Sequence, residues 1–600
     1  SAPGRCKRVF SLSDQTKKKM TVRKINIAYL KQCAREQLEH LLEYLSPHRS
    51  KDLIIQHELL KPLDKIAGVQ LLKSSGVDKI YRFHPGPLAN CSNLCRIYML
   101  TTNIKSIQHA CDQINHSIQN EIGDVQYHLI IVPRSNEFIK KILEEEGLAG
   151  TVNLHNFEVP YFPFDEDRIS MEILDLYGNV YINGNLLDLG NAAFALLKWQ
   201  STFGSITNII GHGIHSSRVV GMLNKMKAQV DCELGPTSPV DYLFIFDRDI
   251  DYPSVLLSQL TYEGLLDEVF SLRLGVLEVS DPKPIKLEVN SQCEIYKDIC
   301  DSHFTKVASY LRAKVSQFHS RKQQLQTMSI QQMKDLIQKD LRELQKQHST
   351  VSLHIDLCET ITKTKGDHFH DQLCCERNIL EGSDPKTVIS FLEDSIASQS
   401  PWQCILRLIC LMSCVNGGLN SKDYNYLKRL FLHSYGYQHL VTFHHLKKAG
   451  LLVLQDNAKM SNVFSSKSTF QTLAKKLELI PSEDRSDHNL KNPTDMSYVF
   501  GGSYSPLIPN LIQKVLKTGD LSSIEECLKL IPGPTVNICH GNSNAKSGAI
   551  LVCVIGGITY SEMAALRLLG FKMGTEVYNL TTSVINGEGL MNKFAEVVTV

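Results

Sequence analysis

Four short segments hold the residue types from which reactive or ligand-binding sites are built. Gly211-His212-Gly213-Ile214-His215-Ser216 is a G-x-G ahead of a helix-like stretch. A dinucleotide cradle needs a third glycine, so that the helix can approach the strand, and an acid about 20 residues further on. Ser216 stands where that glycine belongs, and a tight turn is the better reading. Gly541-Asn-Ser-Asn-Ala-Lys546-Ser547 imitates a phosphate loop. It is one residue short, lacks the glycine before the lysine, and runs into a strand pattern where phosphate binding needs a helix N-terminus. His368, His370, Cys374 and Cys375 are zinc-ligand types, but H-x-H with C-C leaves no room for tetrahedral closure. They read as helix or loop surface. Cys404, Cys410 and Cys414 sit on an apolar helical pattern and read as core.

The fourth segment, Asp247-Arg248-Asp249-Ile250-Asp251, follows an apolar strand at its C-terminal end, where α/β sheets bind ligands. Three carboxylates could hold a divalent cation. Arg248 in their midst favours instead a knot of ion pairs and hydrogen bonds that fixes a domain junction. No G-x-S-x-G, H-E-x-x-H or EF-hand pattern is present. No catalytic residue, metal ligand or cofactor is therefore assigned.

The elements that must position these residues are legible from periodicity. Residues 24 to 45 recur as a helix through Ile27, Leu30, Cys33, Ala34, Leu38, Leu41, Leu42 and Leu45. Strand runs follow at Asp52 to Ile55, Val77 to Phe83, Ile97 to Thr101 and Tyr127 to Val132, with helical patterns between, one of them over 60–73. That alternation predicts a mostly parallel α/β layer. A second α/β set begins near residue 151 and contains Asp241 to Phe246, apolar at its centre as a doubly covered strand must be. From about residue 266 the pattern turns helical, above all over 294–365 and 385–480. Strand texture returns at Gly548 to Ile555, with a helix over Ser561 to Leu569 and a strand near Glu576 to Leu580. The fold class is α/β plus α: two parallel-sheet domains, the second discontinuous, and a large helical insertion. Ile337, Leu341, Leu344, His348, Val351, Ile355 and Cys358 step by alternating fours and threes, a heptad seam. It reads either as a helix packed along its own domain or as a long hairpin that grips another helix.

Composition narrows the partners. With 64 Lys+Arg against 63 Asp+Glu the net charge is +1, which excludes a global polycation and nucleic-acid binding driven by a basic field. No apolar run approaches the roughly 20 residues of a membrane helix, so membrane contact is expected through partners only. The first 30 residues hold no secretory apolar region, and residues 1–20 read as a basic, disordered tail. Seventeen cysteines, an odd number without a paired CxxC, fit a reduced chain.

Two long motifs carry a resemblance. Asp247-Arg-Asp-Ile-Asp-Tyr-Pro-Ser-Val-Leu-Leu-Ser-Gln-Leu-Thr-Tyr-Glu-Gly264 resembles the signature of the Sec/Munc (SM) family of SNARE-binding proteins, and Val554 to Arg567 resembles that family's C-terminal motif. Pro62 to Ala67, Ser434 to Leu440, Lys448 to Leu452 and Met496 to Pro506 are similar to its vacuolar-sorting branch, subunit thirty-three. Leu143 to Gly147, and Ser352 to Ile355 with Cys358 and Glu359, look closer to the B than the A paralogue. Pro253 departs from the Val or Thr that the family often has.

The resemblance implies a three-domain arch: an α/β domain over 21–150, a discontinuous α/β domain over 151–265 and 500–600, and a helical domain over 266–499 with a hairpin at about 294–365. It implies a SNARE template on the hairpin, with Ile337, Leu341, Leu344 and His348 as candidates. It implies docking of a helical, Vps-sixteen-like sorting subunit, the B-specific type favoured, at Tyr435, Tyr437, His439 and Leu440. Asp247, Arg248, Asp251, Tyr262, Gly556, Gly557, Tyr560 and Glu562 become a structural signature. The implied function is regulation of SNARE assembly in vesicle docking and fusion, without enzymatic activity. The chain would act as a subunit of a tethering complex, cytoplasmic and peripheral on late endosome and lysosome membranes. The alternatives are a nucleotide-dependent α/β enzyme using residues 211–216 or 541–547, and a scaffold subunit that binds no SNARE.

Overall fold

Strand Lys51–Ile55 (β1) is buried at all five positions, and four more strands align with it. They are Val77–Arg82 (β2), Cys95–Thr101 (β3), Gln126–Val132 (β4) and Val152–Asn156 (β5), all parallel, in the order β2-β1-β3-β4-β5. Helices Ile27–Leu45, Ile104–Asn120 and Glu137–Glu145 cover this sheet with the apolar stripe that their periodicity announces. The chain is described here from a computed structural model, over residues 25–45, 50–86, 91–120, 125–229, 238–279, 285–326, 330–455, 468–481, 490, 492–539 and 548–596, with backbone alone at 285, 321–326, 330–344 and 596. The tail 1–20 and the phosphate-loop imitation at 541–547 lie outside these residues.

Two readings of this region change. β5 pairs with β4 from Tyr127↔Val152 to Ile131↔Asn156, so the first layer extends past residue 150. As an edge strand it alternates polar and apolar residues and lacks the apolar run of its neighbours. The helical stretch at 60–73 is two helices, His57–Ile66 and Val69–Ser74, broken at Ala67-Gly68.

The chain then lays down Phe162–Pro163 (β6), Arg168–Ser170 (β7), Asn208–His212 (β8) and Val240–Asp247 (β9). Leu272–Arg273 (β10), Val276–Val279 (β11) and Ile285–Glu288 (β12) form a small antiparallel sheet inside the block that the sequence pattern assigns to helix. Its tight turn is made by Leu274 and Gly275, both at positive φ, a turn without the Asn-Gly or Asp-Gly that marks such hairpins in sequence. Far along the chain, Thr535–Ile538 (β13), Ala549–Ile555 (β14) and Val577–Thr581 (β15) complete a seven-stranded sheet in the order β13-β8-β9-β14-β15-β7-β6. It is parallel except at its two edges, β13 against β8 and β6 against β7. β14 is buried throughout.

Between the two halves of this sheet lies the helical block. Helices Phe304–Gln326 and Ile330–Lys365 run as a hairpin. Phe369–Glu381, Pro385–Ala397, Trp402–Asn416, Ser421–Tyr435 and His439–Lys448 follow. Trp402–Asn416 buries Ile405 to Ser413 without interruption, the mark of a helix enclosed on all sides. One apolar cluster runs from Leu53 of β1 through Tyr262 to Leu408 and Phe594, so the layers and the block share a core. No helix among the described residues is long and apolar enough to cross a membrane.

Candidate functional site

β9 ends in the acid-rich segment, where Asp247, Arg248 and Asp251 are each committed, while Asp249 Oδ1 is buried and finds no donor among the described residues. The Asp247 carboxylate accepts the backbone N–H of His215 (2.7 Å) and of Ser216 (2.6 Å) and the Ser216 hydroxyl. It thus caps helix Ile214–Gln229 from the neighbouring strand. Gly213, at φ +127°, makes this approach possible, since a Cβ there would lie 2.2 Å from the Asp247 carboxyl carbon. The amides that a bound phosphate would need are therefore held by an internal carboxylate, which removes residues 211–216 as a nucleotide cradle. Burial pushes Asp247 up to about 6, and burial with the adjacent Asp247 charge pushes Asp249 up to about 7.

Arg248 is fully buried. Its Nη1 donates to both carboxylate oxygens of Glu562 at 2.9 and 2.7 Å, and its Nη2 donates to the Asp251 carbonyl. Glu562 in turn completes a capping box with Thr559 at the start of helix Tyr560–Met573. Gly556 and Gly557, at φ +107° and +105°, carry β14 into that helix. A Cβ on Gly556 would lie 2.7 Å from the Arg248 Cβ, and one on Gly557 2.7 Å from Ile585. Asp251 accepts from the Ser254 hydroxyl (2.7 Å), the Tyr504 hydroxyl (2.9 Å) and the Leu507 N–H (2.9 Å). Three chain segments, 248–254, 504–507 and 556–562, thus meet at one guanidinium and two carboxylates. Tyr560 donates to the Leu272 carbonyl at 3.3 Å, a contact with β10.

Two further buried ionic networks flank this one; Ser258, Glu263 and Arg567 fall within the two long motifs, but the sequence assigned none of their members a role. In the first, Arg168 bonds both oxygens of Glu263 (2.7 and 2.6 Å) and Asp301 (3.2 Å), while Arg567 binds Asp165, Asp167 and Asp301. Against the effect of burial, Arg567 and Arg168 hold Asp301 below the usual carboxylate range. Glu263, Cys300 and Asp301 place ligand atoms within 4.8 Å of one another, but the two guanidiniums already occupy both carboxylates, so the set is no vacant metal site. In the second, Arg407 donates to Ser258 (2.6 Å) and Glu376 (3.2 Å), and Lys365 reaches Glu268 at 2.5 Å. This ties the end of the long hairpin helix to the segment 258–268. Isolated acids and bases spread over hundreds of residues carry no local sequence signal.

The hairpin is pinned at its base by His354, 2 % exposed, whose Nδ1 pairs with the Tyr262 hydroxyl at 2.9 Å and whose ring stacks on Tyr296. Burial lowers His354 to about 4, so it is neutral here. The buried stripe of this helix is Val351, His354, Leu357 and Ile361. The heptad reading placed Ile355 and Cys358 in the seam, and they are only half-buried flanks. The stripe follows the helix's own period of 3.6 and admits a histidine because Tyr262 satisfies it. Of the template candidates, His348 is exposed with its ring 6.0 Å from Phe318 of the partner helix. The side chains of Ile337, Leu341 and Leu344 lie outside the described residues.

The docking candidates divide. Tyr437 is 61 % and Leu440 44 % exposed, and Val441 beside them is 40 % exposed. His439 is turned inward, with its ring 4.7 Å from Trp402 and 5.4 Å from Phe431. Tyr435 is half-buried against Phe431 and donates to the Ser400 carbonyl. The structure thus leaves an apolar face of Tyr437, Leu440 and Val441 at the start of helix His439–Lys448, with His439 and Tyr435 as its support.

Comparison with known proteins places this geometry in context. The model of the Sec1 family matches residues 51–593. Human vacuolar protein sorting-associated protein 33B is 33 % identical over 611 residues, covering 95 % of this chain and 98 % of that protein. Rat vacuolar protein sorting-associated protein 33A is 30 % identical over 610 residues, with the same coverage, so of these two relatives 33B is the nearer. Among solved structures, the SM protein Vps45 in complex with the Qa SNARE Tlg2 is 17 % identical with a TM-score of 0.62, covering 96 % of this chain and 98 % of that one. The Unc18–syntaxin 1 complex from Monosiga brevicollis gives 14 % and 0.60 over 96 % and 99 %. At these identities the solved structures speak for the fold.

Proposed function

The chain belongs to the Sec1 family, and from that premise we propose that it regulates SNARE assembly on the vacuolar-sorting route as a non-enzymatic binding protein. The observation that carries the reading is the match of nearly the whole chain to vacuolar sorting-associated 33B and 33A, together with a fold shared with SM proteins that were solved bound to SNAREs. The hairpin is the template. A SNARE segment must lose conformational freedom before it can zipper, at about 1–2 kcal/mol per residue of backbone. A rigid helical surface that orders it in advance offsets part of that cost and fixes register. Rigidity comes from the base, where His354, Lys365 and the ionic networks lock the hairpin to the segment 258–268.

A second surface serves assembly into a tethering complex. Tyr437, Leu440 and Val441 offer an exposed aromatic–aliphatic anchor of the kind that dominates interface energetics, and a helical, Vps-sixteen-like sorting subunit, of the B-specific type, is the proposed occupant. The chain reaches late endosome and lysosome membranes through these partners. Supporting the binding reading over an enzymatic one, the carboxylate of Asp247 fills the helix N-terminus at residues 214–216.

The test is co-purification of the chain with candidate SNARE segments and with the sorting subunit, for the parent and two variants. Leu341→Asp with Leu344→Asp is expected to lose the SNARE and keep the subunit. Tyr437→Asp with Leu440→Lys is expected to do the reverse. Equal retention of both partners by both variants would overturn the two site assignments.

A further inference from the structure

In an open parallel sheet, ligands enter the crevice beyond the C-terminal strand ends where the strand order reverses. In the five-stranded sheet that reversal falls between β1, which leads to β2 on one side, and β3 on the other. A cavity of about 520 Å³ opens there, lined by Gln56 after β1, Thr101 and Thr102 at the end of β3, and the segments 171–191 facing them. Its volume lies within the roughly 300–1,000 Å³ of small-ligand sites. We propose that this cavity binds a ligand bearing an ammonium or guanidinium group, at a site lined by Glu58, Asp175 and Asp188.

The polar groups point to that chemistry. The titratable residues around the cavity are Glu58, Lys105, Glu172, Asp175, Asp188 and Lys593. Glu172 is already satisfied by Arg273 at 2.7 Å and by Ser170, and Lys593 donates to the Leu174 carbonyl at 2.6 Å. Among the described residues Asp188 accepts only a neutral amide, from Asn179 at 2.8 Å. Glu58 Oε2 is buried and finds no donor among the described residues. Gln56, 7 % exposed, is fixed through Oε1 to the Thr101 N–H (2.8 Å) and hydroxyl (3.0 Å). A buried acceptor therefore stands open beside Gln56 at the switch point, a form in which buried polar groups rarely remain. Burial, and then the charge of Glu58, holds Asp175 above its ordinary range despite Lys593; burial and then Asp175 do the same for Asp188 despite Asn179. The three carboxylates thus repel one another in a half-enclosed space, and a cation relieves that repulsion while the neighbouring acceptor of the same ligand meets Gln56. The proposal is independent of the SNARE and sorting-subunit readings, which involve other surfaces.

Such a group comes either free, as in a polyamine, or on a basic side chain of a polypeptide. Titration calorimetry of the full chain separates the sources with three probes: putrescine, Nα-acetyl-arginine methylamide, and the uncharged isostere Nα-acetyl-citrulline methylamide. Binding of the arginine probe or of putrescine, with at least about tenfold weaker binding of citrulline, is expected, since a hydrogen bond to a charged partner is the discriminating contact. Arginine alone identifies a polypeptide side chain, and putrescine alone a free amine. Asp175→Asn is expected to abolish binding while leaving the unliganded chain at least as heat-stable as the parent. Asn183→Arg, at an exposed position on the rim, is expected to occupy the site in cis, blocking the probes and raising the melting temperature. Citrulline binding as well as arginine, no binding of either cation, or undiminished binding by both variants would overturn the assignment.

Discussion

Replacing Arg248 by methionine tests whether the buried knot sets the geometry of the second sheet. Arg248 has no exposed surface, donates twice to Glu562 and lies 3.7 Å from the Asp251 carboxylate. A buried ion pair adds little net stability relative to apolar residues, but removal of one partner leaves the other charge uncompensated, at about 3–5 kcal/mol. At about 1.4 kcal/mol per decade that is roughly a hundredfold to several thousandfold more frequent opening. The readout is amide hydrogen exchange in β9 and β14, which brackets the knot and avoids a single unfolding free energy for a chain of several folding units. Glu562→Gln keeps the cap at Thr559 and leaves Arg248 near Asp251, so its cost is expected at about 1–3 kcal/mol. The double variant is expected to cost less than the sum, because the charge stranded by the first change is gone. Exchange in β9 and β14 of Arg248→Met within threefold of the parent, or strictly additive effects, would refute the reasoning.

Further expectations follow from single contacts. His354 is held at about 4 against 6.5 when exposed, so opened forms take up a proton that the closed hairpin base does not. Protection of Val351 to Ile361 should be full above about pH 6.5 and fall from there toward pH 4, and His354→Gln, which still accepts from Tyr262, should flatten that dependence in hydrogen exchange. Gly556→Ala adds a methyl group 2.7 Å from the Arg248 Cβ at a φ that disfavours alanine; a loss of at least about 2 kcal/mol is expected in chemical denaturation, on the scale of overpacking. Magnesium–ATP at millimolar concentration should leave the melting temperature unchanged, because a ligand of the native state must raise it; a reproducible rise would return residues 211–216 or 541–547 to consideration.

The fold was readable wherever a pattern repeats within one element. β1, β3, β4, β9 and β14 are apolar runs because both faces of a parallel sheet are covered, and helix Ile27–Leu45 shows its buried stripe directly. What escaped is what depends on distant residues. β5 is a polar edge strand known only through its partner β4, and β10 to β12 turn on Leu274-Gly275, which no turn signature marks. Among the signature residues, Arg248 between two acids announced a knot, yet its partner Glu562 lies 314 residues away. Arg168 and Arg407 gave no sign at all, since a lone arginine is equally at home on the surface, and Arg567 stood at the end of a motif without its ionic role showing. The heptad seam misjudged the hairpin base by one position per turn, because His354, polar by type, is buried through a hydrogen bond to Tyr262. At the proposed docking face the aromatic–aliphatic types were visible, but the inward turn of His439 is set by Trp402 and Phe431 and by nothing in the segment itself.

The most direct test of regulation of SNARE assembly is recovery of partners by the purified chain from cytosol and detergent-solubilised membranes, read by mass spectrometry. Recovery of SNAREs together with a helical sorting subunit is the expected result. Recovery of the subunit without any SNARE would contradict the template and leave a scaffold, and recovery of neither would leave the family membership as a statement about fold.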